Sequence, residues 1–185
     1  MDNGAGSYRR FLDGDDNAIA EIVETYKDGL ILYLNGYVKN IFIAEELTED
    51  TFFRLITKKP KYAGKSSFRS WLFAIGRNVA VDYIRHHSKI IDIPVEDAKN
   101  SLLEEQSLEQ SYIGEENKRI VCKALRELPP AYRNALWLVY FEGFSNKETA
   151  MILKKTERQM KNLLYRAKKA LKSKLEKDGF EYENF

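Results

Sequence analysis

The sequence predicts an all-α chain of two small helical domains joined by a flexible acidic linker. Three observations lead there. Apolar residues recur at helical spacing nearly throughout, and no stretch alternates in strand fashion. Charge falls into blocks: residues 58–89 hold eight bases against one acid, and residues 154–177 hold ten against two. Between them, residues 91–117 hold eight acids against one base, Lys99. That stretch is too poor in apolar side chains to order itself, so it reads as a linker between two basic surfaces.

The elements follow in order. Residues 1–7 are small and polar, unlike a signal peptide, which needs a basic start and an apolar core, and 1–14 reads as a disordered N-terminus. Asp15 can cap a helix through about Tyr26. A second helix is expected over 30–40, with Gly36 as its weak point, and a third over 43–57. In the third, Ala44, Leu47, Thr51, Leu55 and Ile56 share one side. Pro60 and Gly64 make 58–65 a loop. Ser66 or Ser67 caps a fourth helix to about His87, with Phe68, Trp71, Leu72, Ile75, Val79 and Tyr83 as its apolar stripe. These make a first domain over 15–90. The linker takes 91–114, the second domain 115–178 and a C-terminal tail 179–185.

In the second domain a helix over 115–128 buries Ile120, Val121, Ala124, Leu125 and Leu128. Pro129 and Pro130 end it and open another, which Gly143 closes near Glu142. Ser145 with Glu148, and Thr156 with Gln159, are two capping boxes. They delimit a short helix over 146–153 and a long one over 157–177.

Composition narrows the function. At 44% hydrophobic residues in 185 the chain can build real cores, and a formal charge of +2 argues nothing by itself. Cys122 is the only cysteine, which excludes an internal disulfide and suits a reducing cytoplasm. The longest apolar run, 135–141, is far short of the roughly 20 residues a membrane helix needs, so no membrane insertion is expected. His86 and His87 are adjacent and cannot form an i, i+4 metal pair. With no phosphate loop, nucleophile elbow or cysteine cluster, neither a catalytic residue nor a metal, cofactor or small-molecule ligand is expected.

A short helix, a tight turn and a longer basic helix form the pattern of a helix-turn-helix. Met160, Leu163, Leu164, Ala167 and Leu171 make the buried stripe of the long helix, leaving Arg158, Lys161, Asn162, Tyr165 and Lys169 on the open side. Its first turns enter the major groove, where Arg and Lys reach guanine and Asn or Gln adenine. Arg158, Gln159, Lys161 and Asn162 are therefore the base-edge candidates, with Arg166 and Lys169 on phosphate. A lysine-rich solvated helix is the bland alternative. The two caps, the short first helix and the polar first turn favour DNA.

Three stretches then carry a resemblance. Leu128-Pro129-Pro130-Ala131-Tyr132-Arg133, the run from Tyr140-Phe141-Glu142-Gly143 through Ser145-Asn146-Lys147-Glu148-Thr149-Ala150, and Tyr165-Arg166-Ala167-Lys168 resemble region four of extracytoplasmic-function sigma factors of the sigma-70 family. Region four reads the minus-thirty-five promoter element. Ala44-Glu45-Glu46-Leu47-Thr48-Glu49-Asp50-Thr51-Phe52 resembles the region-two segment that grips the polymerase clamp. Phe68-Arg69-Ser70-Trp71-Leu72-Phe73-Ala74-Ile75-Gly76-Arg77-Asn78, with Asp82 and Arg85, resembles the segment that handles the minus-ten element. The likeness spans 15–177. It departs where relatives often carry a glycine, at Lys154 and Lys155, and an arginine, near Leu163. The resemblance implies a transcription initiation factor with core RNA polymerase and promoter DNA as partners. It also implies an anti-sigma partner, membrane-anchored in many relatives, and a linker that threads polymerase channels.

In the first domain, Glu45, Glu46, Glu49, Asp50, Phe53 and Arg54 face away from the apolar stripe. Acidic faces are usually just solvated; a phenylalanine among the acids points to a partner, here core polymerase. Lys61, Tyr62 and Lys65 lie in a basic loop, and opened strands are held by cationic grooves with stacking aromatics. Tyr62 and Phe68 are of that type, although Phe68 fits the core better, and Trp71 fits the core with one edge exposed. Arg69, Arg77, Arg85 and Lys89 can reach phosphate. Asn78, Asp82 and Arg85 fit a hydrogen-bond network on one helix face equally well, so Asn78 and Arg85 are shared between the two readings. The competing function is a conventional helix-turn-helix regulator that binds duplex DNA unaided. Against it, the first domain shows no ligand pocket, receiver or dimer interface.

Overall fold

The structure, a computed structural model, describes residues 3–87 and 116–177, so the expectations for the 91–114 linker and the 179–185 tail fall outside it. The regular elements among the described residues are all helical. The first half holds α1 (Asn3–Leu12), α2 (Asn17–Val38), α3 (Ile41–Lys58) and α4 (Phe68–His87). The second holds α5 (Glu116–Arg126), α6 (Pro130–Leu136) continued by a π-helical turn (Trp137–Phe141), α7 (Asn146–Ile152) and α8 (Glu157–Lys177).

Two expectations fail in the first half. The N-terminus is not disordered: α1 inserts Tyr8 and Phe11 into the core, each under a twentieth exposed. Gly4 lets it come close, since a Cβ there would meet Phe68 Cδ1 at 2.4 Å. The Tyr8 hydroxyl donates to Pro60 O at 2.8 Å, and burial pushes its pKa up to about 12. A ten-residue helix with two glycines leaves too short an apolar stripe to stand out in sequence. The helices expected over 15–26 and 30–40 are one. Ile22, Tyr26, Leu30 and Leu34 form an unbroken buried stripe along α2, and burial of that stripe overrides the weakness of glycine in a helix, about 1 kcal/mol each.

Three of the remaining helices, α3, α7 and α8, start at side-chain caps. Asn40 caps α3, its side chain accepting from Ile43 N at 2.9 Å. Ile56 departs from the expected stripe and is exposed. On α4, Phe68, Leu72 and Val79 are buried, while Trp71, Ile75 and Tyr83 are partly so. Gly143 takes a φ of +67° after the π-turn. Ser145 and Glu148 form the expected box at the start of α7, and Thr156 and Gln159 make reciprocal bonds of 2.9 and 3.2 Å at the start of α8.

The turn between α7 and α8 is made by Lys154, in left-handed backbone at φ +54°. It stands just past the C-cap Leu153, where glycine is the usual residue. A side chain there costs about 1–2 kcal/mol, partly offset by the entropy it removes from the unfolded chain. Lys154→Gly should therefore stabilise the chain by about 0.5–1 kcal/mol, read as a higher urea midpoint with unchanged m. A lower midpoint would show the turn to be unstrained.

The two halves are packed on each other rather than held apart. α6 lies against α2, and α7 against α4. Phe73 of α4 meets Phe144 edge-on at a centroid distance of 5.1 Å, which joins the two apolar cores.

Candidate nucleic-acid interface

All six candidates on α8, Arg158, Gln159, Lys161, Asn162, Arg166 and Lys169, are exposed. Met160, Leu164 and Ala167 anchor the opposite side, and Leu163 and Leu171 are half-buried there. Arg158, Asn162 and Lys169, spaced by four and seven, share one stripe along about 16 Å of helix. Tyr165 sits in the middle of it and is 71% exposed. Its place on the open side is readable from spacing, although its size invites a core assignment. Gln159 is already engaged, its Oε1 accepting the Thr156 N–H. That leaves its amide N–H groups and one lone pair of Oε1 for a partner.

On α3, Glu46, Glu49, Asp50, Phe53 and Arg54 are exposed and Glu45 is half-buried. Phe53 is 63% exposed. Phe42 and Ile56, also exposed, extend the stripe through 42, 46, 49, 53 and 56. Two apolar ends around an acidic middle is a pattern that sequence reasoning missed, because Ile56 looks like core. Arg54 reaches across to Asp82 of α4 at 4.0 Å, and Arg85 pairs with the same carboxylate at 3.3 Å.

The α4 candidates do not form one compact patch. Lys61 and Lys65 are exposed on the loop before it. Tyr62 packs edge-on against Phe68 and tilted on Trp71, at 5.6 and 5.2 Å, with its hydroxyl donating to Ser66 O. Phe68 itself is fully buried. Arg77 and Asn78 are half-buried in mid-helix; Arg77 turns inward to the Tyr37 hydroxyl, which burial holds above its ordinary pKa. Arg85 lies about 24 Å along the helix from Arg69.

Arg69, expected on phosphate, has partners within the chain. Its guanidinium pairs with the Glu142 carboxylate of the second half and lies over the Phe144 ring, 4.5 Å from the centroid. Glu142, with 9% of its side chain exposed, also accepts from Trp137 Nε1 at 3.2 Å. Burial raises its pKa, with Arg69 and Trp137 opposing. Nearby, Ser67 Oγ donates to Glu148 Oε1 at 2.7 Å. Burial pushes Glu148 up, but the hydrogen bonds from Ser67 and Ser145 together with the Arg69 charge outweigh it and leave the pKa lowered.

Two family models match this chain. Residues 22–90 match the family Sigma-70 region 2, and residues 119–171 match Sigma-70, region 4. The chain is 30% identical to ECF RNA polymerase sigma factor SigM of Bacillus subtilis over 155 residues, 84% of this chain and 93% of that protein. It is 27% identical to SigX of the same organism over 162 residues, 84% of this chain and 82% of the relative. Among solved structures, it is similar to the sigma factor RpoE in complex with the anti-sigma factor NepR from Bartonella quintana. That likeness has a TM-score of 0.66 at 20% identity, covering 85% of this chain and 96% of RpoE. CnrH in complex with the cytosolic domain of CnrY gives 0.65 at 18% identity, over 95% and 96%.

Proposed function

The chain belongs to the extracytoplasmic-function sigma factors of the sigma-70 family, and from that premise we propose which of its surfaces does what. It is a promoter-specific initiation factor that works with RNA polymerase, without chemistry of its own and not as a stand-alone regulator. The exposed face of α3 docks on core polymerase. The face of α8 reads the minus-thirty-five element through Arg158, Lys161 and Asn162, with Arg166 and Lys169 on phosphate. Lys61, Tyr62, Lys65, Arg69, Trp71, Arg77, Asn78 and Arg85 provide a track for the minus-ten element and its opened strand. The observation that carries this reading is the exposed polar and basic stripe on α8, anchored from behind and set at its start by a cap.

In the similar solved structures described above, RpoE is in complex with NepR and CnrH with the cytosolic domain of CnrY. An anti-sigma partner, membrane-anchored in many relatives, is proposed for this chain as well. No described helix is long and apolar enough to cross a membrane, and a polymerase partner puts the chain in the cytoplasm.

The test is transcription by core polymerase from a library of upstream elements, with and without the chain. Specific starts should need both components. Arg158→Ala and Asn162→Ala should each cost about 1–3 kcal/mol and relax one base pair of the preferred sequence. Lys169→Ala should weaken all promoters alike and lower the salt slope by about one unit. A changed preference on losing Lys169, but not on losing Arg158 or Asn162, would reverse the orientation of α8 in the groove.

A further inference from the structure

We propose that Tyr8 of α1 is a positioning residue: its hydroxyl latches the basic loop over 59–66 in the shape that receives an opened strand. The inference rests on the part given to Lys61, Tyr62 and Lys65 in the function proposed above.

The loop does not hold its shape through its backbone. Among the described residues, the backbone of 60–66 makes no hydrogen bond to another backbone group. Lys61 and Lys65 are exposed, and so are Ala63 and Gly64 between them. A segment of this kind samples many shapes unless side chains fix it. Two of the fixings come from α1. The Tyr8 hydroxyl donates to Pro60 O at 2.8 Å, and Lys59 Nζ stands over the Phe11 ring, 4.9 Å from its centroid. A third is the loop's own, the ring of Tyr62 lying on Phe68 and Trp71. Tyr8 packs on the same two rings, at 5.5 and 5.4 Å. Its ring therefore serves the core and its hydroxyl serves the loop.

The chemistry makes that hydroxyl a latch. Tyr8 is 1% exposed, so its O–H has to find its acceptor inside the protein. Pro60 is only half-buried. Without the hydroxyl its carbonyl can turn to water, and the loop turns with it. Lys59, one residue earlier, takes left-handed backbone at φ +42°, a conformation that favours glycine. Such backbone persists where its surroundings hold it, and the Phe11 and Tyr8 contacts bracket it. Fixing the Pro60 carbonyl sets where Lys61 and Tyr62 emerge. A loop already set gives up less freedom when it takes up a strand.

The full chain tests this, alone and bound to core polymerase, as parent, Tyr8→Phe, Phe11→Leu and Ser7→Ala. Ser7 lies beside Tyr8 on α1 but donates to Glu21 Oε2 at 2.7 Å, so Ser7→Ala loosens α1 without touching the loop. Trypsin cleavage of the free chain after Lys61 and Lys65 reads the latch. Tyr8→Phe should speed it roughly fivefold, the worth of one net hydrogen bond. Phe11→Leu should speed it too, and Ser7→Ala should not. Binding of the polymerase complex to fork DNA with an unpaired minus-ten strand reads the consequence. Tyr8→Phe should weaken it by a similar factor and relax the preference for the unpaired base, with affinity for core polymerase unchanged. Combined with Tyr62→Ala it should add no further loss, because both act through one loop. Unchanged cleavage in Tyr8→Phe overturns the latch. Equal cleavage in Ser7→Ala overturns it as well, by making Tyr8 only a prop of α1. Faster cleavage with parental fork binding and base preference, or a loss additive with that of Tyr62→Ala, overturns the positioning role. If Lys61→Ala, Tyr62→Ala and Lys65→Ala all left fork binding intact, the part given to the loop would fall, and the cleavage rates would still decide the latch.

Discussion

Phe68→Ala should destabilise the chain by about 3–5 kcal/mol, the largest effect expected of any single truncation here. Phe68 is fully buried among four other rings, with centroids at 5.5 Å to Tyr8, 5.9 Å to Tyr26, 5.6 Å to Tyr62 and 5.4 Å to Trp71. Removing it deletes a ring's worth of buried area and leaves a cavity that these rigid neighbours cannot fill. α1 should loosen with it, because Gly4 and Tyr8 rest on that ring. The measurement is urea unfolding of the full chain, with Tyr62→Ala alongside. Tyr62 is only half-buried, so its loss should cost less stability and should show instead in strand opening on a promoter. A near-parental midpoint for Phe68→Ala with lost promoter opening would make Phe68 a base-stacking residue after all.

Phe68 shows where sequence reasoning was sufficient. Helical spacing put it on a stripe with Leu72 and Val79, and the stripe is the core. Caps were equally legible, since a capping box is a local chemical event with a fixed spacing: both boxes of the helix-turn-helix form where their residues stand. α1 was lost because its contribution is tertiary. Tyr8 and Phe11 become core only when α1 is packed on α2 and α4. The single α2 was lost for a related reason, because the stripe through Ile22, Tyr26, Leu30 and Leu34 is buried by packing along its whole length. Arg69 was assigned by its charge, as a phosphate contact. Its partner Glu142 is 73 residues away, and a π-turn aims that carboxylate, which no spacing rule forecasts. What sequence conveys well is repeated along one element, and what it hides is set by contact between elements.

The proposed docking face of α3 combines both kinds of information, and its loss should disable the chain without unfolding it. Leu47, Thr48, Thr51 and Leu55 point into the core, and Glu46, Glu49, Asp50 and Phe53 point away. Phe53, 63% exposed, contributes little to the fold. An exposed aromatic amid carboxylates is the arrangement of an interface anchor: the ring supplies desolvated area and the acids steer a basic partner. Phe53→Ala should weaken core-polymerase binding by at least 2 kcal/mol, about thirtyfold, while the unfolding midpoint stays within about 0.5 kcal/mol of the parent. Glu46→Lys and Asp50→Lys should act chiefly on the association rate and should reduce its sensitivity to salt. Phe42, half-exposed at the other end of the stripe, should behave like Phe53 with a smaller loss, being further from the centre. Binding measured by competition for core polymerase, with circular dichroism as the control for folding, separates the contributions. Parental binding by Phe53→Ala, Glu46→Lys and Asp50→Lys alike would mean that this face is merely solvated, and that polymerase grips the chain elsewhere.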